Sequence, residues 1–307
     1  MFSLVCTQRL GTLISTLSGT LERKGLKPLH RNTERRPTRN KVASRRRYLM
    51  CRPTYFDVTY SINVWMDPAR PTSAALSQEQ WKRLHDTFIT LGHDVELIEP
   101  TPGLPDMVFS ANGAMVVDGR ALVARFRNQE RVYESAAYLD WFRGAGWSKV
   151  RQAEYINEGE GDFLFTGTEI LAGSGFRSDP RAHHEVQEFF DRPVVSLTLV
   201  DPRFYHLDTA LAVLGRDEIM YYPDAFSVES QAILSARFPD AILANETDAV
   251  VFGLNALSDG KNVILPQQAI GLADRLRDRG YTPVGVDLTE LLKAGGSVKC
   301  CTLELRE

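Results

Sequence analysis

From Tyr48 onward, short apolar runs alternate with longer stretches whose apolar residues recur every three or four positions. Tyr48-Leu49-Met50-Cys51 is an unbroken apolar run closed by Arg52-Pro53, which predicts a buried strand. Trp81, Leu84, Phe88 and Leu91 keep helical spacing up to Gly92, and Ser77 with Gln80 reads as the capping box of that helix. Trp81 and Phe88 are core residues on this reading. Residues 93–99 alternate as a strand. Further helices are predicted over residues 131–142, 180–190, 228–237 and 267–279, the last stopped at Gly280. Between them lie short strand pairs: 115–117 with 122–124, 163–165 with 170–172, and 211–214 with 219–222.

Five helices thus recur at intervals of roughly 40–55 residues, each separated by strands, a period that signals a repeat architecture. The residues inside the repeats differ, so the pattern repeats and the sequence does not. A doubly wound sheet also alternates strands and helices, but it does not usually insert a tight hairpin into nearly every unit. The expectation is an α/β fold of small ββαβ blades around a centre.

The last stretch runs from Leu292 to Leu305 and carries two adjacent thiols, Cys300 and Cys301. Asp287 with Glu290 reads as a capping box that opens a short helix, and Gly295-Gly296 stops it. Strand alternation after that would set Cys301, Leu303 and Leu305 on a core face. Val298, Cys300 and Thr302 would share the other face, beside backbone a ligand can approach. Cys301 then looks structural and Cys300 available, although two buried small hydrophobes would fit the same pattern.

Composition narrows the class. The chain has 307 residues, 43% hydrophobic and 24% charged, which suits a globular protein. Its four cysteines, Cys6, Cys51, Cys300 and Cys301, show no C-x-x-C spacing, so neither a zinc ribbon nor a disulfide scaffold is indicated. A reducing, cytoplasmic compartment fits. No apolar run is long enough to span a bilayer, and no membrane partner is expected. Residues 1–47 hold twelve lysines and arginines against Glu22 and Glu34, ten positive charges in excess; with the whole chain at −3, the remainder carries −13. That stretch is expected to be a disordered basic extension, and residues 48–307 one catalytic domain. The acidic body argues against nucleic acid as a partner. Oligomeric state is open, a homo-oligomer included.

Four stretches place polar groups where strands give way to loops. Asp106 and Asn112 flank the apolar run 107–109, and residues 157–162 (Asn-Glu-Gly-Glu-Gly-Asp) separate three acids with two glycines. Phe204-Tyr205-His206-Leu207-Asp208-Thr209 is the third, and the Cys300 stretch the fourth. Each has a bland alternative as a turn or a satisfied core residue. Gly173-Ser174-Gly175 lacks the third glycine of a dinucleotide loop, and His184-Glu185 lacks the second histidine of a zinc-protease helix. His183 and His184 are expected to face solvent. Together the four stretches describe a thiol nucleophile, an imidazole to move protons, and carboxylates or amides for a cationic, nitrogen-rich group.

The ordered set resembles the guanidine-modifying superfamily, which contains arginine deiminase, dimethylarginine dimethylaminohydrolase and the amidinotransferases. The segments Leu-Met-Cys-Arg-Pro, Tyr-Ser-Ile-Asn-Val-Trp-Met, Pro-Asp-Met-Val-Phe-Ser-Ala-Asn, Arg-Phe-Tyr-His-Leu-Asp-Thr and Leu-Lys-Ala-Gly-Gly-Ser-Val-Lys-Cys are similar to its arginine dihydrolase branch. The resemblance implies a five-bladed pseudo-symmetric α/β propeller, no metal or organic cofactor, and a small-molecule substrate, arginine or a methylated arginine. It implies Cys300 as nucleophile and His206 as general acid/base, with Glu158 beside them. Asp106, Asp162 and Asp208 would belong to the acidic site, Arg131 would hold the substrate carboxylate, and Asn63 and Asn112 would meet the guanidino end. Where the dimethylarginine enzymes resemble an aspartate, this chain has Asn112. A neutral ureido product needs a donor for its carbonyl, which an amide supplies and a carboxylate does not. The expectation is therefore arginine to ornithine, carbon dioxide and two ammonia, ahead of dimethylarginine hydrolysis and simple deimination. A non-catalytic arginine-binding propeller is the rival from another class.

Overall fold

The computed structural model describes residues 40–307; the basic stretch up to residue 39 lies outside them. Contacts with the body begin before Tyr48. Lys41 Nζ reaches Glu218 and the Tyr281 hydroxyl, and the Ser44 N–H donates to the Asp259 carbonyl at 2.9 Å. Arg47 is already the first residue of a strand, so the boundary expected at residue 47 falls inside chain that is bound to the body.

Five three-stranded sheets follow one plan: a middle strand pairs antiparallel with one neighbour and parallel with the other, and a helix crosses between the parallel pair. The first unit has β1 (Arg47–Cys51), α1 (Ala74–Thr90) and β2 (Asp94–Ile98). The second has β3 (Ala114–Val117), β4 (Arg120–Val123), α2 (Glu134–Gly144) and β5 (Lys149–Gln152). The third has β6 (Phe163–Phe165), β7 (Ile170–Ser174), α3 (Arg181–Phe190) and β8 (Val194–Thr198). In the fourth, the single turn α4 (Leu207–Ala210) leads into β9 (Leu211–Gly215) and β10 (Glu218–Tyr221), followed by α5 (Val228–Arg237) and β11 (Ile242–Leu243). In the fifth, α6 (Glu246–Ala249) precedes β12 (Leu257–Ser258), β13 (Asn262–Pro266), α7 (Ile270–Asp278) and β14 (Thr282–Val286). The chain then passes through α8 (Thr289–Leu292) to β15 (Leu303–Glu304), which pairs antiparallel with β1, Tyr48 opposite Glu304 and Leu49 opposite Leu303. The first sheet therefore takes its antiparallel strand from the far end of the sequence.

The elements arise where the apolar spacing puts them, and the departures have local causes. α1 buries Ser77, Gln80, Trp81, Leu84 and Phe88 on one stripe. Its cap is Ser73, whose side chain accepts from the Leu76 N–H, while Ser77 sits inside the helix and bonds back to the Ala74 carbonyl. The expected capping box at Ser77 was one turn late. Nor does Glu290 cap its own helix: its carboxylate receives the Ser73 N–H at 2.9 Å and Lys293 Nζ, tying α8 to α1. His184 is exposed, but His183 is buried, with Nδ1 2.8 Å from Ser196 Oγ and Nε2 near the Gly173 carbonyl. That corrects the solvent-facing expectation for His183.

The tail differs most. Residues 297–301 form a turn and not a strand: the Cys301 N–H donates to the Ser297 carbonyl at 3.1 Å and the Thr302 N–H to the Lys299 carbonyl at 2.9 Å. Thr302 Oγ1 closes the turn on the Val298 carbonyl at 2.8 Å, the back-bonding open to a hydroxyl four residues on. Strand geometry begins only at Leu303. Among the described residues no helix is long and apolar enough to cross a membrane.

Candidate active site

The five units deliver their polar groups from equivalent places, the segment just before each unit's antiparallel strand. Asp106 and Asn112 precede β3, Glu158 and Asp162 precede β6, and His206 and Asp208 precede β9. Asn255 precedes β12 and Cys300 precedes β15. All of these side chains are buried. Short 3-10 turns at 105–108, 110–113 and 159–161 let consecutive residues face the same centre, which extended strand could not do. Glycine is needed at one of these turns: a Cβ on Gly161 would collide with Asn112 Nδ2 and stand 3.2 Å from His206 Nδ1.

Cys300 Sγ lies 3.4 Å from Asp208 Oδ2 and accepts from Asn255 Nδ2 at 3.1 Å. Asn255 Oδ1 also accepts from the Cys300 N–H, and the Cys300 carbonyl accepts from the Ala111 N–H at 3.0 Å. Burial, and after it the Asp208 carboxyl, push the thiol well above its ordinary range. Burial likewise pushes Asp208 up to about 7 against the pull of Lys299. Cys301 is fully buried in the cluster that holds Tyr48, Phe88 and Leu291, and burial raises its thiol too.

His206 Nε2 is 2.9 Å from Glu158 Oε2. The same oxygen accepts from Arg177 at 2.7 Å. Burial works against the Glu158 charge, yet Arg177, His206 and Arg131 hold the carboxyl well below the usual range. An anionic Glu158 fixes the imidazole through Nε2 and leaves Nδ1 free of partners. Three carboxylate oxygens of the site segments share that condition: Asp106 Oδ1, Glu158 Oε1 and Asp208 Oδ1. Buried polar atoms without partners are costly, and these four, from the site segments of three neighbouring units, mark a place for a ligand rich in N–H donors.

Other expected site residues take different places. Arg131 makes a two-point pair with Glu134 at 2.8 Å, donates to Asn112 Oδ1 at 2.9 Å and to the Asp106 carbonyl at 3.2 Å. Its guanidinium is largely occupied in holding those groups and does not stand open for a substrate carboxylate. Asp162 accepts from Ser178 Oγ at 2.6 Å and from the Leu207 N–H at 3.2 Å, so it anchors the α4 turn beside His206 and presents no free oxygen to a substrate. Burial pushes its carboxyl up to about 6. Asn63 is half-buried; its Nδ2 donates to the Ala294 carbonyl at 3.1 Å and its Oδ1 accepts from the Trp65 N–H at 2.9 Å. It pins a loop. From that loop Tyr60 bonds Asp106 Oδ2 at 2.9 Å, the Ile62 carbonyl accepts from Arg177, and Trp65 Nε1 donates to the Arg203 carbonyl at 2.8 Å.

Arg177 and Asn255 were missed from sequence. Neither sits in a distinctive motif; the spacing of Asn255 just ahead of an apolar pair is the one signal that repeats the other units.

A family model described as N,N dimethylarginine dimethylhydrolase, eukaryotic, matches residues 61–307. An N(G),N(G)-dimethylarginine dimethylaminohydrolase of Mycobacterium tuberculosis is 57% identical over 260 residues, 85% of this chain and 86% of the relative. The bifunctional arginine dihydrolase/ornithine cyclodeaminase ArgZ of a Synechocystis strain is 38% identical over 267 residues, 85% of this chain but 38% of that longer protein. The crystal structure of the N-terminal domain of ArgZ bound to substrate superposes with a TM-score of 0.82, covering 85% of this chain and 98% of that one.

Proposed function

Because the chain belongs to the N,N-dimethylarginine dimethylhydrolase family, a Cys-dependent group of linear-amidine hydrolases, we propose that it hydrolyses the guanidino C–N bond of dimethylarginine to citrulline and dimethylamine. The expectation from sequence put arginine first. The identities of 57% and 38% favour the reverse order. The observation that carries the chemistry is the set of four unpartnered buried atoms on Asp106, Glu158, Asp208 and His206, a set suited to a flat cation with several N–H donors. The five units are read as closing into a ring around this centre, since β15 completes the sheet that β1 begins.

In the free site the thiol is held neutral beside Asp208. An arriving guanidinium supplies the positive charge that favours thiolate and ionised Asp208 together. The thiol proton passes to His206 as the thiolate adds to the guanidino carbon, and the tetrahedral adduct collapses as His206 Nδ1 delivers that proton to the departing dimethylamine. An S-alkyl thiouronium remains on Cys300. His206, now neutral, takes a proton from water as its oxygen adds to that carbon. Expulsion of the sulfur then leaves citrulline and regenerates the enzyme. Glu158 keeps the imidazole aligned through both steps.

Asn112 favours a second reading, in which arginine is taken through citrulline to ornithine. Its Oδ1 is committed to Arg131 and its NH₂ lies 3.5 Å from the Glu158 carbonyl, with a second N–H left to donate. A donor there would hold a ureido carbonyl for another attack. Supplying dimethylarginine, arginine and citrulline separately and measuring dimethylamine, ammonia, citrulline and ornithine decides between them. Dimethylamine from the first supports the proposal, two ammonia per ornithine support the second reading, and no product from any of them defeats both.

A further inference from the structure

Behind the catalytic centre, β6, β9 and β12 line a cavity of about 190 Å³ that runs toward the turns following β6 and β9. The catalytic residues precede these strands, so the cavity faces the opposite end. Its walls are apolar for much of their length, but four cations reach it: Arg46, Arg216, Lys299 and Arg306. Glu304 joins them, and Glu160 lies behind, receiving Lys299 Nζ at 2.7 Å, the Glu304 N–H at 3.0 Å and Arg306. Four positive charges therefore meet two negative ones, an excess of two inside a body that is acidic overall.

Several donors in this cluster lack partners. Arg46 Nε is buried and makes no hydrogen bond, although its Nη1 pairs with Glu304 at 3.1 Å, and the exposed Arg216 makes no ion pair among the described residues. The Tyr48 hydroxyl, behind the cavity wall on a side chain with no exposed surface, is also unpartnered; Glu304, Arg46, Arg306 and Asp259 are the charges acting on it. Lys299 is itself 6% exposed, so its charge is not dispersed into solvent. Lys299 and Arg306 are held by Glu160 and Glu304, so the excess charge rests on Arg216 and on the free Nε of Arg46, donors that an oxyanion with several acceptors would satisfy.

We infer that this cavity is a binding site for a compact dianion of the phosphate or short dicarboxylate kind, held by Arg46, Arg216, Lys299 and Arg306. The site is separate from the guanidino centre but not remote from it, since Lys299 precedes Cys300 in the chain. The inference does not depend on which substrate the catalytic centre takes.

Isothermal titration of the full chain with sodium phosphate and, separately, sodium malonate tests it, in buffer whose ionic strength is held constant with sodium chloride. Saturable one-to-one binding of at least one of the two is expected, and the tighter ligand identifies the anion class. Arg216→Ala and Arg46→Ala should each weaken that binding by about tenfold or more, the scale of one charge-assisted hydrogen bond. Arg216 is exposed, so its removal leaves the fold intact, and if Arg46→Ala does not fold then Arg216→Ala alone decides. No saturable heat with either anion, or unchanged affinity in Arg216→Ala, would overturn the inference.

Discussion

Asn255 grips Cys300 at two atoms, its Oδ1 accepting from the backbone N–H at 3.1 Å and its Nδ2 donating to Sγ at 3.1 Å. A third contact, from Nδ2 to the Asp208 carbonyl at 3.1 Å, ties Cys300 to the segment that carries His206. A donor aimed at sulfur stabilises thiolate over thiol. Asn255→Ala should therefore cost roughly 10- to 100-fold in kcat, the scale of one hydrogen bond to a charged group. It should also move the pH dependence of Cys300 alkylation by iodoacetamide upward. An unchanged alkylation profile would leave Asn255 a packing residue only.

The two adjacent thiols should separate cleanly. Cys300→Ser should abolish turnover and leave the unfolding temperature near that of the parent. Cys301→Ser should keep most activity but lose about 1–3 kcal/mol of stability, because a hydroxyl replaces a fully buried thiol in apolar surroundings. Steady-state assays and denaturant titration of the two variants check this, and the reverse pattern would exchange their roles.

Stability of the free protein should fall as pH rises toward neutrality. Burial raises Asp208 and Glu134 to about 7 and Asp162 to about 6, so above about pH 5 these three keep protons that the unfolded chain has lost, while Glu158, Glu160 and Asp259, held low by their cationic and hydrogen-bonding partners, act the other way only at lower pH. Wherever that holds, the unfolding free energy declines with pH. Raised carboxyls stabilise the protonated fold below their unfolded pKa and lose that contribution through the folded one. Asp208→Asn should flatten the slope in urea titrations between pH 5 and 8. A slope that stays the same would show that Asp208 is ionised throughout.

Asn112→Asp should shift the products. The new carboxylate keeps the contact with Arg131 but loses the NH₂ that faces the Glu158 carbonyl. Any ornithine formed from arginine should disappear and citrulline should accumulate, as followed by chromatography of quenched reactions. Ornithine output equal to that of the parent would remove Asn112 from product control.

The plan of the fold was legible because each hairpin and each crossing helix carries its own period. The pair 163–165 with 170–172 lies inside an observed antiparallel pair, the pair 115–117 with 122–124 overruns its observed one by a single residue, Ala124, and the 228–237 helix has its expected ends. What the sequence hid were choices made by distant partners. Ser73 outcompetes Ser77 as a cap while its N–H is taken by Glu290, more than two hundred residues away. Cys300 leaves the strand pattern because Asn255 and Ala111 bond its backbone from two other units. Arg131, a free cation in the sequence, is claimed by Glu134 one helical turn later. Arg177 and Asn255 escaped notice because a single Arg or Asn has no local signature; both matter through what they touch.

The antiparallel pairing of β1 with β15 also governs timing. During synthesis the opening strand leaves the ribosome long before its mate exists, so the first sheet stays a parallel two-strand fragment until residue 304 has been made. Cys300 stands only a few positions ahead of that mate. Closure of the sheet and placement of Cys300 thus become one late event.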